Sequence, residues 1–445
     1  MKLSVLLFAS ISSCCYSFAV TTYQSSSKSR LPTLSTTGRK EAVGAHGPQQ
    51  RQLQMQSPVI TASAAILAST SSAAAINAVA LRAVFKLIST CGAGVIAGKF
   101  GLLDKTALGV LSKLVFYLFQ PCMLFVNVAG TIDKMGGNAG VMRLLPMAAA
   151  VQILIGFAVG KFLSFLFYGK DQSSEEAKQL LTCTTFSNSG PLPLVFVDAL
   201  LKAHADSSFL PKSVGYVSLY LLGWSPLFWI FAPVILTPSE IADPNKKVAT
   251  QKEKMTLLAK RVFSPPVMGS LLGLLVGATS LKKLFIPVTG IFHPIFEAAK
   301  TLGTGYIPSV LLVLAGSLTP PSKEEEALTP AKASGAGENI AFIKQVGAIY
   351  MARFLFMPTL GFALLAALKK SFPSMVPILA DPILVFVLLL QTCMPSAQNS
   401  TVILQLQGNR GAAARMAKSL MAIYILGIPA ISYWLVRILS LTGLA

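Results

Sequence analysis

From about residue 76 onward, long apolar runs alternate with short polar stretches. Ten of these runs are roughly 18–26 residues long, the length that carries a helix across a bilayer. They are Ile76–Gly98, Leu108–Gly130, Leu144–Tyr168, Gln179–Leu201, Ser213–Leu236, Val262–Leu284, Pro294–Leu318, Ile343–Leu368, Pro382–Gln407 and Ala417–Leu441. The stretch from Thr237 to Lys260 between the fifth and sixth runs is polar and basic, and Thr319 to Glu338 is rich in Pro, Glu and Ser. The pattern predicts an all-α membrane protein with ten transmembrane helices.

The two sets of five echo each other. Tyr220-Leu-Leu-Gly223 with Pro226 in the fifth run matches Tyr424-Ile-Leu-Gly427 with Pro429 in the tenth. Thr182-Cys183 followed by Asn188 in the fourth matches Thr392-Cys393 followed by Asn399 in the ninth. Pro121 with Ala129-Gly130 in the second matches Pro308 with Ala315-Gly316 in the seventh. Because five is odd, a second copy must enter from the opposite side of the membrane. The expected organisation is therefore two inverted five-helix repeats, residues 76–236 and 262–441, joined by a cytosolic or stromal central loop, 237–261. Inverted repeats of this kind are a common plan of secondary transporters.

Composition sharpens this picture. The chain is 53% hydrophobic and 12% charged, with a mean hydropathy of +0.65, against about 25% charged residues in ordinary soluble domains. The net charge of +20 does not make it a nucleic-acid binder, since basic residues gather in the loops of membrane proteins. One side collects Lys99, Lys105, Lys170, Lys178, the central-loop lysines around Lys246, Lys323, Lys332, Lys344, Arg410 and Arg415. The other has Lys134, Arg143, Lys202, Lys212, Lys282, Lys283, Lys369 and Lys370. The richer side is expected to face cytosol or stroma. Six cysteines and three histidines show no metal-ligand spacing, so no metal and no cofactor is expected.

The leader reads as an address. Lys2, the apolar run Leu3 to Ile11 and small residues through Ser17 have the layout of a signal peptide, residues 1–17. Residues 18–75 form a transit-peptide-like tail, rich in Ser, Thr, Lys and Arg, with no acidic residue before Glu41. The pair in series favours a plastid membrane, with the endoplasmic reticulum or another endomembrane as the alternative.

Candidate chemistry sits in two interrupted runs. The fourth contains Thr185-Phe-Ser-Asn-Ser-Gly-Pro-Leu-Pro193, and the ninth Cys393-Met-Pro-Ser-Ala-Gln-Asn-Ser400. Pro191, Pro193 and Pro395 donate no backbone hydrogen bond, and Gly190 adds freedom, so both helices are expected to break near the midplane. Unwound backbone persists in a bilayer only when buried in protein or lining a wet cavity. Two matching breaks point to a binding site where they cross, with positive half-helix ends facing an anion. Ser187, Asn188, Ser189, Ser396, Gln398 and Asn399 are the expected substrate-binding side chains. Neither break holds Asp or Glu, which argues against a proton- or sodium-coupled antiporter. Asp198, Glu297, Lys300 and Asp381 are read as solvated at the interface, and Arg82 and Lys86 as snorkelling there.

On these residues the chain resembles the auxin efflux carrier family, and its short central loop resembles the PIN-LIKES branch. The resemblance covers roughly Val79 to the C-terminus. It rests on Leu118-Phe-Gln-Pro-Cys122, Ser187-Asn-Ser-Gly-Pro-Leu-Pro-Leu194, Ser264-Pro-Pro266 with Gly269 and Gly273, Asp381-Pro382, Pro395-Ser-Ala-Gln-Asn399 and Gln405-Leu-Gln-Gly408. The family's usual Gly-Asn-x-Gly-Asn-Leu-Pro is altered here, with Ser187 for the first Gly and Pro191 for the second Asn. Ser264 stands where Asn usually precedes Pro-Pro. The resemblance implies a ten-helix crossover fold, elevator-like alternating access and export of small organic anions without ion coupling. The expected partners are such an anion, with indole-3-acetate as a candidate, the lipid bilayer, and a second copy of the chain in a homodimer. A sodium-coupled symporter of the bile-acid type and a non-transporting membrane regulator are the alternatives. An enzyme is not expected, as no run carries a His-Glu-x-x-His or paired-Asp motif.

Overall fold

The computed structural model describes residues 82–444 apart from 83–84, 87, 135–138, 203, 237–255, 257–258, 261 and 319–335. The expected leader 1–17, the tail 18–75 and nearly all of the central loop 237–261 lie outside the described residues.

The described residues are helical, the sole exception to helix, turn and coil being one isolated bridge between Ser187 and Ser396. Helix α1 covers residues 88–99. Helix α2 runs through Lys105–Leu114, a π turn at Val115–Phe119, and Gln120–Lys134. Then come α3 (Ala139–Tyr168), α4 (Glu175–Thr185), α5 (Pro191–Leu201) and α6 (Phe209–Leu236). The later part has α7 (Pro265–Ala278), the short α8 (Lys282–Phe285), α9 (His293–Thr304) and α10 (Tyr306–Gly316). Helix α11 joins Ala336–Met351, a π turn at Ala352–Phe356 and Met357–Ser371. Last are α12 (Pro382–Thr392), α13 (Asn399–Leu406) and α14 (Arg410–Thr442). Among the described residues six helical stretches, α2, α3, α6, α9 with α10, α11 and α14, are long and apolar enough to cross a membrane, and α5, α7 and α12 are shorter apolar helices.

Local chemistry sets the ends. Asp104 caps α2 by accepting from the Ala107 N–H at 2.7 Å, and Ser174 caps α4 from Ala177 at 3.3 Å. Asn409 caps α14 from Ala412 at 3.1 Å, and Gly443 closes that helix at φ 68°. This cap starts α14 at Arg410 rather than the expected Ala417, because a capped polar turn extends the helix beyond its apolar stretch. The sixth run was expected to reach Leu284, but α7 stops at Ala278, where Thr279 turns extended and its hydroxyl folds back onto the Leu275 carbonyl at 2.8 Å. The seventh run is likewise divided, at Gly305 between α9 and α10.

Helix α7 lies along α2, which also holds α9. The contact is backbone on backbone. A Cβ on Gly269, Gly273 or Gly277 would meet the carbonyl oxygens of Pro121, Phe125 and Ala129 at 2.4, 2.7 and 2.8 Å. Small residues four apart thus let two helices approach closely, the usual way to bind helices where lipid is as apolar as the side chains. Elsewhere α3 packs on α4 and α6, and α14 on α11, α12 and α13. Large apolar residues such as Leu154, Phe162, Phe165 and Ile291 stand exposed, as lipid-facing side chains do.

Of the residues read as interfacial, Asp198 is exposed, and Glu297 pairs with Lys300 at 3.0 Å with both exposed. Arg82 and Lys86 are exposed too. Asp381 is corrected. It caps α12, accepts from the Tyr216 hydroxyl at 2.5 Å and pairs with Lys212 at 2.9 Å, with its side chain 18% exposed. The hydroxyl and the ammonium come from α6, so the cap also ties α6 to α12.

Candidate functional site

Helix α4 ends at Thr185 because Phe186 is extended, and α5 begins at Pro191 with prolines at its first and third positions. Prolines at a helix start remove donors that have no intrahelical acceptor there. Helix α12 ends at Thr392, and α13 begins at Asn399. The two unwound stretches meet antiparallel. The Asn188 N–H donates to the Pro395 carbonyl at 2.7 Å, and the Ala397 N–H to the Phe186 carbonyl at 3.0 Å.

Buried backbone must find partners, and here side chains supply them. The Ser396 hydroxyl donates to the Cys183 carbonyl at 2.7 Å. Gln152 of α3 donates to the Gln391 carbonyl at 2.8 Å and accepts a short hydrogen bond from the Tyr220 hydroxyl. Gln391 donates in turn to the Ser189 carbonyl at 3.1 Å. The Tyr424 hydroxyl donates to the Ser396 carbonyl at 3.0 Å. Arg353, fully buried in the π turn of α11, donates Nε and Nη2 to the Met394 carbonyl at 3.0 and 2.7 Å and Nη1 to the Thr184 carbonyl at 3.2 Å.

The expected residues divide into two roles. Ser187 sits in the bridge with its hydroxyl 2.8 Å from that of Ser189, and Ser396 spends its hydroxyl on backbone. Neither Ser187 nor Ser396 lines the cavity beside the crossing. Asn188, Ser189, Gln398 and Asn399 do, with Gly190 and Pro191. Pro193 is buried in the first turn of α5, and Pro395 contributes its carbonyl. The Asn188 amide donates to the Tyr424 hydroxyl at 2.7 Å, and the Asn399 amide to the Tyr306 hydroxyl at 2.7 Å.

The cavity's far wall is Gln120, Met123 and Leu124 of α2, Trp224 and Ser225 of α6, and Tyr306 of α10. About 20 Å³ is open to the centre of a water molecule, enough for one water. Among the described residues, four buried polar atoms on its lining have no hydrogen-bond partner: Gln120 Oε1, Trp224 Nε1, Ser225 Oγ and Gln398 Nε2. A second, larger cavity of about 800 Å³ is lined by Lys134, Lys212, Lys300, Glu297 and Asp381, with Asn127, Thr131 and Tyr216.

Reading the breaks alone missed Arg353, Tyr306, Tyr424, Gln120, Gln152, Gln391 and Trp224. A signal was available for Arg353, a cation ten residues into the apolar run that starts at Ile343, since ionisable residues inside spans are costly and kept for a purpose. Both π turns also stand beside site residues, one holding Arg353 and the other directly preceding Gln120. Such turns are frequent at functional sites, but none shows in apolar periodicity.

A family model described as membrane transport protein matches residues 79–435. Protein PIN-LIKES 7 of Arabidopsis thaliana is 24% identical over 365 residues, covering 72% of this chain and 87% of its own length. Protein PIN-LIKES 1 of the same plant is 22% identical over 360 residues, covering 73% of this chain and 71% of its own. An uncharacterized transporter of Schizosaccharomyces pombe is 26% identical over 168 residues, 34% of this chain and 35% of its own length.

Proposed function

Because the chain belongs to the membrane transport protein family, that of the auxin efflux carriers, we propose that it carries small organic anions across a membrane by alternating access. The spans are ten, in two inverted fives. What supports the inversion is the matched use of the fifth and tenth spans. Tyr220 and Tyr424 both reach into the crossing network, while a Cβ on Gly223 would meet the Pro146 backbone of the third span and one on Gly427 the Phe354 ring of the eighth, each at 2.4 Å.

The observation that carries the reading is the cavity where α5 and α13 begin. Two asparagine amides and the unpartnered Gln398 and Trp224 N–H donors line it, beside the positive ends of two half-helices. An anion arriving there accepts from donors that have no protein partner among the described residues, each such bond worth about 1–3 kcal/mol. The larger cavity sets three lysines against Glu297 and Asp381, a net positive lining that draws anions. Among the described residues no carboxylate lines the smaller cavity, and transport accordingly follows the anion's own gradient and the membrane potential.

The test is flux of labelled indole-3-acetate and other small carboxylates in proteoliposomes with an imposed potential and neither a sodium nor a proton gradient. The potential contributes about 2.3 kcal/mol per charge per 100 mV, so flux is expected to change steeply with its sign and size. Flux that ignores the potential but requires sodium overturns uniport in favour of the bile-acid-type symporter. No flux of any carboxylate favours a non-transporting regulator.

The membrane is proposed to be a plastid's, on the composition of residues 1–75. A fluorescent protein fused behind the first sixty residues is expected to accumulate in plastids. A reporter held in the endoplasmic reticulum places the carrier in the endomembranes instead.

A further inference from the structure

We infer that Arg353 sets the charge preference of the crossing, making it a site for a singly charged anion rather than for any polar solute; this rests on the carrier reading above. Each end of a helix carries about half an elementary charge, positive at the N-terminus and negative at the C-terminus. Helices α4 and α12 reach the crossing with their C-terminal ends, and α5 and α13 leave it with their N-terminal ends. Over the crossing as a whole these four half charges sum to zero, so the negative ends of α4 and α12 weaken the anion preference that the positive ends give the cavity.

Arg353 breaks that balance. Its guanidinium binds the Thr184 carbonyl in the last turn of α4 and the Met394 carbonyl just past the end of α12. It therefore sits on both negative ends at once and offsets them. Among the described residues no carboxylate pairs with it. What remains is the positive pair at the starts of α5 and α13, next to the cavity, worth about one elementary charge. A monoanion neutralises it, and a neutral isostere leaves it uncompensated. The π turn at Ala352–Phe356 is the local device that places Arg353 in this position. Arg353 does not line the cavity. It is a positioning residue, acting through the half-helix ends.

The test uses the full chain in lipid nanodiscs and compares binding of indole-3-acetate with that of its neutral amide. The wild type is expected to prefer the carboxylate. Arg353→Gln keeps an amide donor for the Met394 carbonyl but removes the charge. Its preference is expected to fall about tenfold or more, as for a unit charge on the order of 10 Å away at an effective dielectric near 20. Arg353→Lys keeps the charge and loses the fork, so its preference should stay near that of the wild type even if its thermal stability drops. Equal loss of affinity for both ligands in Arg353→Gln, with the preference intact, would show a purely structural role and overturn the inference while leaving the carrier reading in place. If Arg353→Gln does not fold, Arg353→Lys decides: a preserved preference supports the inference, and a lost one overturns it. A wild type that binds neither ligand nor any other small carboxylate defeats the carrier reading itself.

Discussion

Gly269→Leu is expected to yield little folded protein, and Gly273→Leu the same. In both positions a Cβ would come within 2.4–2.7 Å of a backbone carbonyl oxygen of α2, closer than real side chains ever stand. An overpacked core normally costs about 1–3 kcal/mol because neighbouring side chains turn aside. Here the neighbour is the main chain of a helix, which has no rotamer to change. The entire α2–α7 contact must open, and α9 and the Gln120 wall of the cavity ride on α2. The check is thermal unfolding in detergent, read by size-exclusion of a fluorescent fusion. Gly109→Ala, with nothing within 4 Å of its Cβ, is the control and should behave as the wild type. A monodisperse Gly269→Leu protein with an unchanged melting temperature would mean that α2 and α7 do not touch in the membrane.

Asn188→Ala and Asn399→Ala are expected to weaken anion binding roughly 10- to 150-fold each, the loss of one hydrogen bond to a charged group at about 1.5–3 kcal/mol. The two should differ in side effects. Asn188 is held by Tyr424, whose hydroxyl keeps its other bond to the Ser396 carbonyl when the amide goes. Among the described residues Asn399 is held by Tyr306 alone, so its removal leaves that buried phenol without its partner and should cost stability as well as affinity. Equilibrium binding of labelled indole-3-acetate together with melting curves separates these effects. Wild-type affinity in both variants would remove the crossing as the binding site.

Much of this architecture is local in origin and was therefore readable along the chain. An apolar stretch of about twenty residues has one stable form in a bilayer. Pro191, Pro193 and Pro395 lack the N–H that a continuous helix needs, so the interruptions of the fourth and ninth runs follow from those residues alone. Boundaries were less legible. The cap at Asn409 and the turn at Thr279 move helix ends by several residues without changing the apolar pattern.

The candidate site was legible by half. Asn188, Ser189, Gln398 and Asn399 line the cavity because they sit at the starts of half-helices, a position set by the breaks themselves. Ser187 and Ser396 lie as close to the breaks, yet they serve the bridge and the backbone. Which role a hydroxyl takes depends on what lies opposite it, and the opposite element is some two hundred residues away in sequence.

By itself, then, the chain determines that it is helical, membrane-embedded and twice interrupted, because length, hydropathy and missing donors act within a few residues. Only the tertiary structure decides how the interruptions survive. Freed carbonyls in a buried interior must be met by whatever donors the packing brings, and those include Ser396 in the break itself and Gln152, Arg353, Gln391 and Tyr424 from four separate helices. No periodicity encodes such pairings, since each is a coincidence in space between segments that are remote along the chain. The same coincidence sets Arg353, which pairs with no carboxylate among the described residues, against two negative helix ends.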